Sequence, residues 1–214
     1  KAEMPVGTVA LPGISFYGDG DTGLYRIGAN NLGVACAGAR VLNVAAAGLF
    51  IGADSNANMT LGLTINQAAN DNEILALKSS DVAHGATSIT ETDTYCYGKK
   101  NDAAGGGLLL NAISDSGAAA NAAAMRLVGT SGVAADTTKS TAGLGAVVIQ
   151  GEVVDGTTAA DIGANGNILA VRNRVTTRFI LDGDGDSHQD VGTAWTNFDD
   201  GNDTERLNAV AITL

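Results

Sequence analysis

Three aspartates alternate with glycines near the carboxyl end of the chain, and carboxylates in such a turn can converge on a metal ion. Ca²⁺ takes about six to eight oxygen ligands. The spacing departs from an EF-hand loop, because Ser187 and Thr193 stand where that loop has its Gly and its last Glu. Two interpretations stay open, a Ca²⁺ site or a structural acidic turn after a strand, for Asp182, Asp184 and Asp186. The shorter pair Asp19 and Asp21 is expected to form a turn only.

Acid–base and nucleophilic chemistry have few candidates. The only histidines are His84 and His188, and we expect their side chains to be solvated. A glycosidase needs two carboxylates that face each other across a cleft, usually beside aromatic rings, and aromatic residues are only 4% of this chain. No Ser-His-Asp pattern, phosphate-binding loop or nucleophile elbow is present. We therefore expect no catalytic residue, no enzyme activity and no cofactor apart from the Ca²⁺ considered above.

Four aromatic residues are candidates for contact with a receptor or with a neighbouring subunit. Large aromatic side chains anchor many protein interfaces because they bury much surface at once. They can equally well pack a junction between subunits of one oligomer. The candidates are Tyr95, Tyr97, Trp195 and Phe198.

The apolar content predicts a folded chain with a thin core. Hydrophobic residues make up 45% of the 214 residues and charged residues 16%, which is the reverse of a disordered composition. Small side chains dominate, with 29 glycines and few aromatic rings. Such side chains fill a deep core poorly and suit sheets or coils that lie close together. In a long chain this favours an oligomer, in which neighbouring subunits supply the missing burial.

The charge and the cysteines exclude several classes of protein. A net charge of −11 argues against a nucleic-acid partner, and the Arg172, Arg174 and Arg178 trio is expected to alternate along one strand. No apolar run is long enough to insert in a membrane, and the first residues do not resemble a signal peptide. Cys36 and Cys96 belong to no metal-binding or disulfide pattern, so we expect two small buried thiols.

Short apolar runs separated by Gly, Asn and Asp predict an all-β fold. Their spacing is typical of a β-solenoid, an intertwined trimeric β-fibre or a β-sandwich. An Ala-rich stretch, 117–125, is compatible with a short helix, and 18–21 is predicted as a turn. Strands are predicted at residues 14–17, 24–27, 32–36, 40–44, 49–51, 61–66, 74–78, 92–97, 108–113, 125–128, 145–150, 153–154, 167–171 and 174–181.

Two segments resemble modules of phage tail-fibre and related virion appendage proteins. In 10–52 the resemblance lies in Pro-Gly-Ile-x-Phe from Pro12, Asp-Thr-Gly-Leu-Tyr-Arg from Asp21, and Gly-Ala-x-x-Leu-Gly from Gly28. The second segment is 63–95, and the strand-and-turn sequence RFILDGDGDSH is also similar to endings of such chains. The resemblance implies a β-rich, usually trimeric virion component and carries over no active-site residue.

The predicted organisation has three parts: an N-terminal β module over 1–52, a strand-rich body over 53–181, and an acidic cap, linker or docking segment over 182–214. The predicted function is a structural component of a phage virion, as a tail fibre, tail appendage or head decoration. Its partners would be two further copies of itself, other virion proteins, and a host receptor or glycan. A receptor- or glycan-binding adhesin is the alternative, and a polysaccharide depolymerase is a weaker one.

Overall fold

The fold is known from a computed structural model, which describes residues 3–119 and 122–190. Within those residues the chain forms fourteen strands and no helix, so the predicted all-β class is confirmed. The chain divides into two compact units, Lys1–Arg126 and Leu127–Leu214. The choice among solenoid, intertwined fibre and sandwich depends on contacts between copies and stays a prediction, as does the three-part division of the chain.

The first unit begins with a six-stranded sheet whose strands follow one another in chain order. The first five strands are antiparallel neighbours, whereas the last two pair in parallel and therefore need a crossover connection. The strands are β1 (Ile14–Phe16), β2 (Asp19–Gly28), β3 (Asn31–Cys36), β4 (Ala39–Ala45), β5 (Gly48–Ile51) and β6 (Gly62–Ile65). The sheet therefore extends beyond residue 52, where the resemblance to the fibre module ends.

Tight turns explain why these strands begin and end where they do. Ala37 and Gly38 both have positive φ, 51° and 69°, which is the geometry of a two-residue hairpin turn between β3 and β4. The turn before β2 is shorter than the predicted 18–21, because β2 begins at Asp19. Tyr17 and Gly18 alone make the turn, and Gly18 accepts its φ of 81° without strain.

One face of this sheet carries the only buried apolar side chains of its strands. Tyr25, Gly33, Asn43 and Phe50 are cross-strand neighbours and all are buried. The crossover connection after β5 covers the row at Asn43, whose side-chain amide donates to the backbone oxygen of Asp54 over 2.9 Å. Gly33 leaves room for the Tyr25 ring, because a Cβ there would lie 2.5 Å from a ring carbon. The core is one residue deep, as the small side chains predicted.

A second, three-stranded sheet follows in the same unit, formed by β7 (Leu75–Lys78), β8 (Thr94–Asp102) and β9 (Gly106–Ala112). The long loop between β7 and β8 is built around His84, which is 3% exposed. His84 Nδ1 accepts the amide of Ala86, so Nε2 carries the proton and donates to the Thr94 carbonyl over 2.9 Å. The prediction of a solvated His84 is wrong: the imidazole holds the loop together.

The second unit has short strands and long irregular stretches. Asp182 is its one buried residue among those described, and none of its described apolar side chains is buried. Strands predicted at 125–128 and 145–150 are not formed, nor is a helix formed by the described part of 117–125. The strands are β10 (Val153–Asp155), β11 (Thr158–Ala160), β12 (Asn167–Asn173), β13 (Thr176–Asp182) and β14 (Ser187–Gln189).

The arginine trio is not arranged on one strand as predicted. Arg172 lies on β12 and Arg178 on β13, whereas Arg174 lies in the turn between them with a φ of 54°. Arg178 forms an ion pair with Asp190, and the Arg172 guanidinium donates to the Val175 carbonyl over 2.6 Å. The ion pair neutralises Arg178, and the hydrogen bond gives the guanidinium of Arg172 an acceptor within the sheet. The hairpin therefore does not present a row of arginines to an anionic partner.

Asp136 closes an irregular loop of the second unit, and its protonation is expected to open that loop. The amides of Thr138 and Leu144 each donate to its carboxylate over 2.8 Å, which lowers the pKa of Asp136 to about 2. A lowered pKa means that the stabilisation is complete above the unfolded value near 3.8 and is lost as the pH falls towards 2. Amide exchange of Leu144 should therefore accelerate only below about pH 4.

The control for this prediction is Asp136→Asn, which keeps the side-chain shape but removes the negative charge and one acceptor oxygen. In that variant the protection of the Leu144 amide, relative to exchange from an unstructured chain at the same pH, should be low at every pH and should no longer change between pH 5 and pH 2. Unchanged protection of Leu144 between pH 5 and pH 2 in the wild-type chain would contradict the role given to Asp136.

Candidate functional site

The surface that stands out is the face of the six-stranded sheet opposite Tyr25 and Phe50. Side chains alternate between the two faces of a strand, and cross-strand partners share a face. Two complete rows therefore point to this side. We call it the aliphatic face: Ile14, Leu24, Leu32, Val34, Leu42, Val44, Leu49, Ile51, Leu63 and Ile65, with Arg26 as the only charged side chain in the rows.

None of these ten aliphatic side chains is buried. Leu63 is 56% exposed, and Leu32, Val44 and Ile51 are each exposed by about 40%. Singly exposed apolar residues are ordinary, but a contiguous patch of this kind on a soluble chain marks an interaction surface. The alternation along each strand thus places the polar and aromatic core on one side and, apart from Arg26, aliphatic rows on the other.

A groove of about 550 Å³ opens at one edge of the aliphatic face. It lies between the segment that precedes β1 and the side chains of Ile14, Leu24 and Leu32. The Arg26 amide donates to the Val6 carbonyl over 2.8 Å, so the leading segment is fixed along β2. A side chain from a sheet that packs against this face can therefore insert into the groove.

The two cysteines lie on strands with open apolar faces rather than in a core. Cys36 is exposed and follows Leu32 and Val34 on the same side of β3, whereas Cys96 on β8 is half-buried, and both are free thiols. The prediction of a buried thiol is therefore wrong for Cys36, whereas the thiol of Cys96 is only partly buried. Within the described residues, neither cysteine has the full burial that a small apolar side chain of this type usually has.

The three aspartates of the predicted metal site do come together in the turn between β13 and β14. Each can offer an oxygen, and these oxygens lie within 4.8 Å of one another. Asp182 is buried and its two oxygens already have donors, the amide of Asp186 at 2.8 Å and His188 Nε2 at 2.7 Å. Gly185 permits the chain reversal with its φ of 93°.

Hydrogen bonding within this turn shifts three pKa values. The His188 ring holds the pKa of Asp182 below its usual value, and the same contact raises the pKa of His188. The Asp182 carboxylate raises the pKa of Asp184, because the two side chains share a hydrogen bond and repel when both are charged. His188 is exposed, as predicted, but its ring also ties β14 to the end of β13, a contact that was not predicted.

The turn is thus explained by contacts within the chain. A Ca²⁺ ion at Asp182 would have to share carboxylate oxygens that already accept hydrogen bonds from the Asp186 amide and from His188. A metal ion would gain two further carboxylates, from Asp184 and Asp186, both of which are exposed. These three residues are the ones that could hold a cation, but the geometry favours the interpretation as a structural turn.

The four aromatic candidates have different positions. Tyr95 on β8 is 41% exposed and remains a candidate for contact, whereas Tyr97 is 4% exposed. The Tyr97 hydroxyl accepts a hydrogen bond from the Asn111 amide over 3.1 Å, so this ring belongs to the core of the second sheet. Trp195 and Phe198 lie outside the described residues, as does most of the predicted 182–214 segment.

A polar cleft of about 480 Å³ lies beside Tyr97. The loop between β7 and β8 forms one wall, and the Thr90 hydroxyl in that wall is buried and has no hydrogen-bond partner among the described residues. An unsatisfied buried hydroxyl is uncommon and makes this wall of the cleft a candidate for ligand contact. The remaining polar lining consists of Asn72, Glu73, Thr87, Ser88, Glu91 and Lys99.

Comparison with known proteins adds no relative to these observations: no family model, no curated protein and no solved structure matches the chain. Among the described residues no helix is long and apolar enough to cross a membrane. The inference of function therefore rests on the residues themselves and on the surfaces they form.

Composition indicated that burial would come from neighbouring subunits, but sequence reasoning did not find the aliphatic face. The signal was available in the strand pattern, since Leu32, Val34 and Cys36 alternate with Gly33 and Ala35. The alternation does not by itself tell which face is buried, because the buried face is built largely from glycine, alanine and asparagine. The larger aliphatic side chains instead point to solvent.

Proposed function

We propose that the chain is a structural subunit of a phage virion, as a tail fibre, tail appendage or head decoration, and that it works as a homotrimer. The observation that carries the assembly is the open aliphatic face of the first sheet. The resemblance of 10–52 and 63–95 to fibre modules supports the place in a virion. The role is mechanical: copies associate and hold a stiff protein surface in position.

The free energy of association would come from the aliphatic face. Complete burial of one Leu, Ile or Val side chain contributes about 1.5 to 3 kcal/mol. The five side chains of this face that are more than a third exposed are Ile14, Leu32, Val44, Ile51 and Leu63. Their open fractions together equal about two whole side chains, so each copy would gain roughly 3 to 6 kcal/mol, before the cost of association is subtracted.

A closed ring of copies suits a sheet that has a single open apolar face. Each sheet has a covered face with Phe50 and Asn43 and an open one with the aliphatic rows, so copies that turn their open faces to a common axis cover them all. Leucine, isoleucine and valine side chains at the axis suit the usual distance of about 10 Å between packed sheets. Three copies is the number implied by the resemblance to fibre modules, and closed symmetry prevents endless aggregation.

Immunogold labelling tests the place in the virion. Antibodies raised against the purified chain should label the surface of virus particles isolated from a lysate of the host that carries the gene. Labelling confined to the soluble fraction of the lysate, with clean particles, would contradict a virion component. A mutant phage that lacks the gene serves as the control and should show no label.

Removal of divalent cations is expected to leave the assembly unchanged. The donors to Asp182 satisfy its carboxylate without an ion, so the turn between β13 and β14 should persist in a chelator. Light scattering with and without EDTA should therefore give the same solution mass. A mass that falls in EDTA and recovers with CaCl₂, but does not recover in Asp184→Asn, would instead assign a Ca²⁺ ion to the three aspartates.

A second candidate function is recognition of a host glycan or receptor at the cleft beside Tyr97. The unpartnered Thr90 hydroxyl and the amide, hydroxyl and charged groups around it favour a polyhydroxylated ligand. NMR titration of the chain with a host surface polysaccharide should then shift the Thr90 and Asn72 amides, while dextran should not. If neither amide moves at millimolar concentrations of host polysaccharide, this candidate is excluded.

A further inference from the structure

The second sheet of the first unit also has one covered and one open face. The cross-strand rows Leu75–Gly98–Leu110 and Leu77–Cys96–Ala112 share a side, opposite to Tyr97. Leu108 lies on the same side and is 76% exposed, and the other three leucines are exposed by 39% to 50%. We call this surface the leucine face: Leu75, Leu77, Cys96, Gly98, Leu108, Leu110 and Ala112.

Charge indicates what kind of partner fits the leucine face. The two cross-strand rows contain no charged side chain, and Lys100, which is paired with Leu108 across the strands, forms an ion pair with Asp71. Lys78, at the end of β7, is held by Glu91 and Asp93. The rim therefore offers no free cation to draw a nucleic acid or an anionic membrane surface. Since the chain carries a net charge of −11, copies of it approach one another with least repulsion at a face such as this one, where the charged Lys100 beside Leu108 is already paired with Asp71.

The aliphatic face alone is smaller than the surface that each partner buries in a stable interface, so a second contact surface is needed. Six strands spaced by about 4.8 Å and about four residues long present roughly 400 Å² of sheet, whereas a standard stable interface buries about 800 Å² on each partner. The leucine face, with three strands of similar length, adds roughly 200 Å² in the same unit. The leucine face of a neighbouring copy is itself a flat aliphatic sheet, which is what packing at about 10 Å requires.

We propose that the leucine face is a second contact between copies of this chain, occupied by a neighbouring copy and formed together with the contact at the aliphatic face. This inference rests on the proposed homo-oligomeric function and adds a distinct surface to it. Cys96 lies in the middle of the leucine face, so its thiol becomes inaccessible when the copies associate.

The thiol of Cys96 reports on the contact without any change to the face. In a Cys36→Ser chain Cys96 is the single thiol, and its rate of reaction with a thiol reagent such as DTNB should fall at least tenfold between a dilute, dissociated sample and a concentrated, assembled one. Sedimentation velocity at the same concentrations gives the degree of association. An assembled chain in which Cys96 reacts as fast as in the dissociated chain overturns the inference and leaves the proposed function intact.

Substitution tests the face directly. Leu75→Lys with Leu110→Lys places two charges on either side of Gly98, and the concentration at which the chain dissociates should rise at least tenfold. Ile89→Lys is the matched control, because Ile89 is 54% exposed in the loop that covers the opposite face, and it should associate like the wild type. Wild-type association of the double variant, with a wild-type circular dichroism spectrum, also overturns the inference. A wild-type chain that is monomeric at all concentrations would contradict the proposed homo-oligomeric function itself.

Discussion

Replacing Leu32 and Val44 with lysine is expected to convert the assembled chain into monomers that keep their fold. The two residues are cross-strand partners near the middle of the aliphatic face, and each is exposed by about 40% in the single chain. A lysine there extends its ammonium into solvent in the monomer, so the sheet survives. In the assembly the same two charges are buried without partners, which should weaken association by about 3 kcal/mol or more, about 100-fold.

The measurement is the solution mass as a function of concentration, with circular dichroism to confirm the β structure. Val175→Lys is the matched control, because Val175 is 74% exposed in the turn between β12 and β13 and outside the aliphatic face. That variant should assemble like the wild type. If the double variant assembles as well as the control does, the aliphatic face is not the contact.

Replacing Phe50 with alanine should have the largest effect on the folding of the single chain. Phe50 is 2% exposed and is the largest fully buried side chain in the one-residue-deep core of the first sheet. Removal of a buried phenylalanine costs about 3 to 5 kcal/mol, a large fraction of the total stability of a typical domain. The thermal unfolding temperature of the first unit should fall by about 10 °C or more.

Ile51→Ala is the internal control for that prediction. Ile51 is the next residue of β5, points to the aliphatic face and is 39% exposed. Measured in the monomeric Leu32→Lys and Val44→Lys background, its loss should lower the unfolding temperature by only a few degrees. Equal effects of the two substitutions would show that the covered and open faces had been assigned wrongly.

The fold class and most strands of the first unit were predictable from sequence because most strands are bounded by Gly, Asn or Asp. Strands such as Leu32 to Cys36 and Leu49 to Ile51 are short apolar runs whose ends coincide with turn residues. The misses at 125–128 and 145–150 have a physical reason. Apolar runs such as Val147, Val148 and Ile149 form a strand only where another strand pairs with them, and none does within the described chain.

The candidate site was predictable only in part. The closeness of Asp182, Asp184 and Asp186 follows from a tight glycine-rich turn and was expected, but the His188 contact was not, because it depends on the register of β14 against β13. The covered and open faces also depend on which loop crosses which side of a sheet. Sequence alternation gives two faces but does not tell which of them the connection between β5 and β6 covers.

The most direct test of the account is the solution mass of the wild-type chain, measured by light scattering across a hundredfold range of concentration. The account predicts a trimer at the higher concentrations, with reversible dissociation on dilution. A monomer at every concentration would show that the aliphatic face is not covered by copies of this chain, and would contradict the proposal of a self-assembling virion subunit.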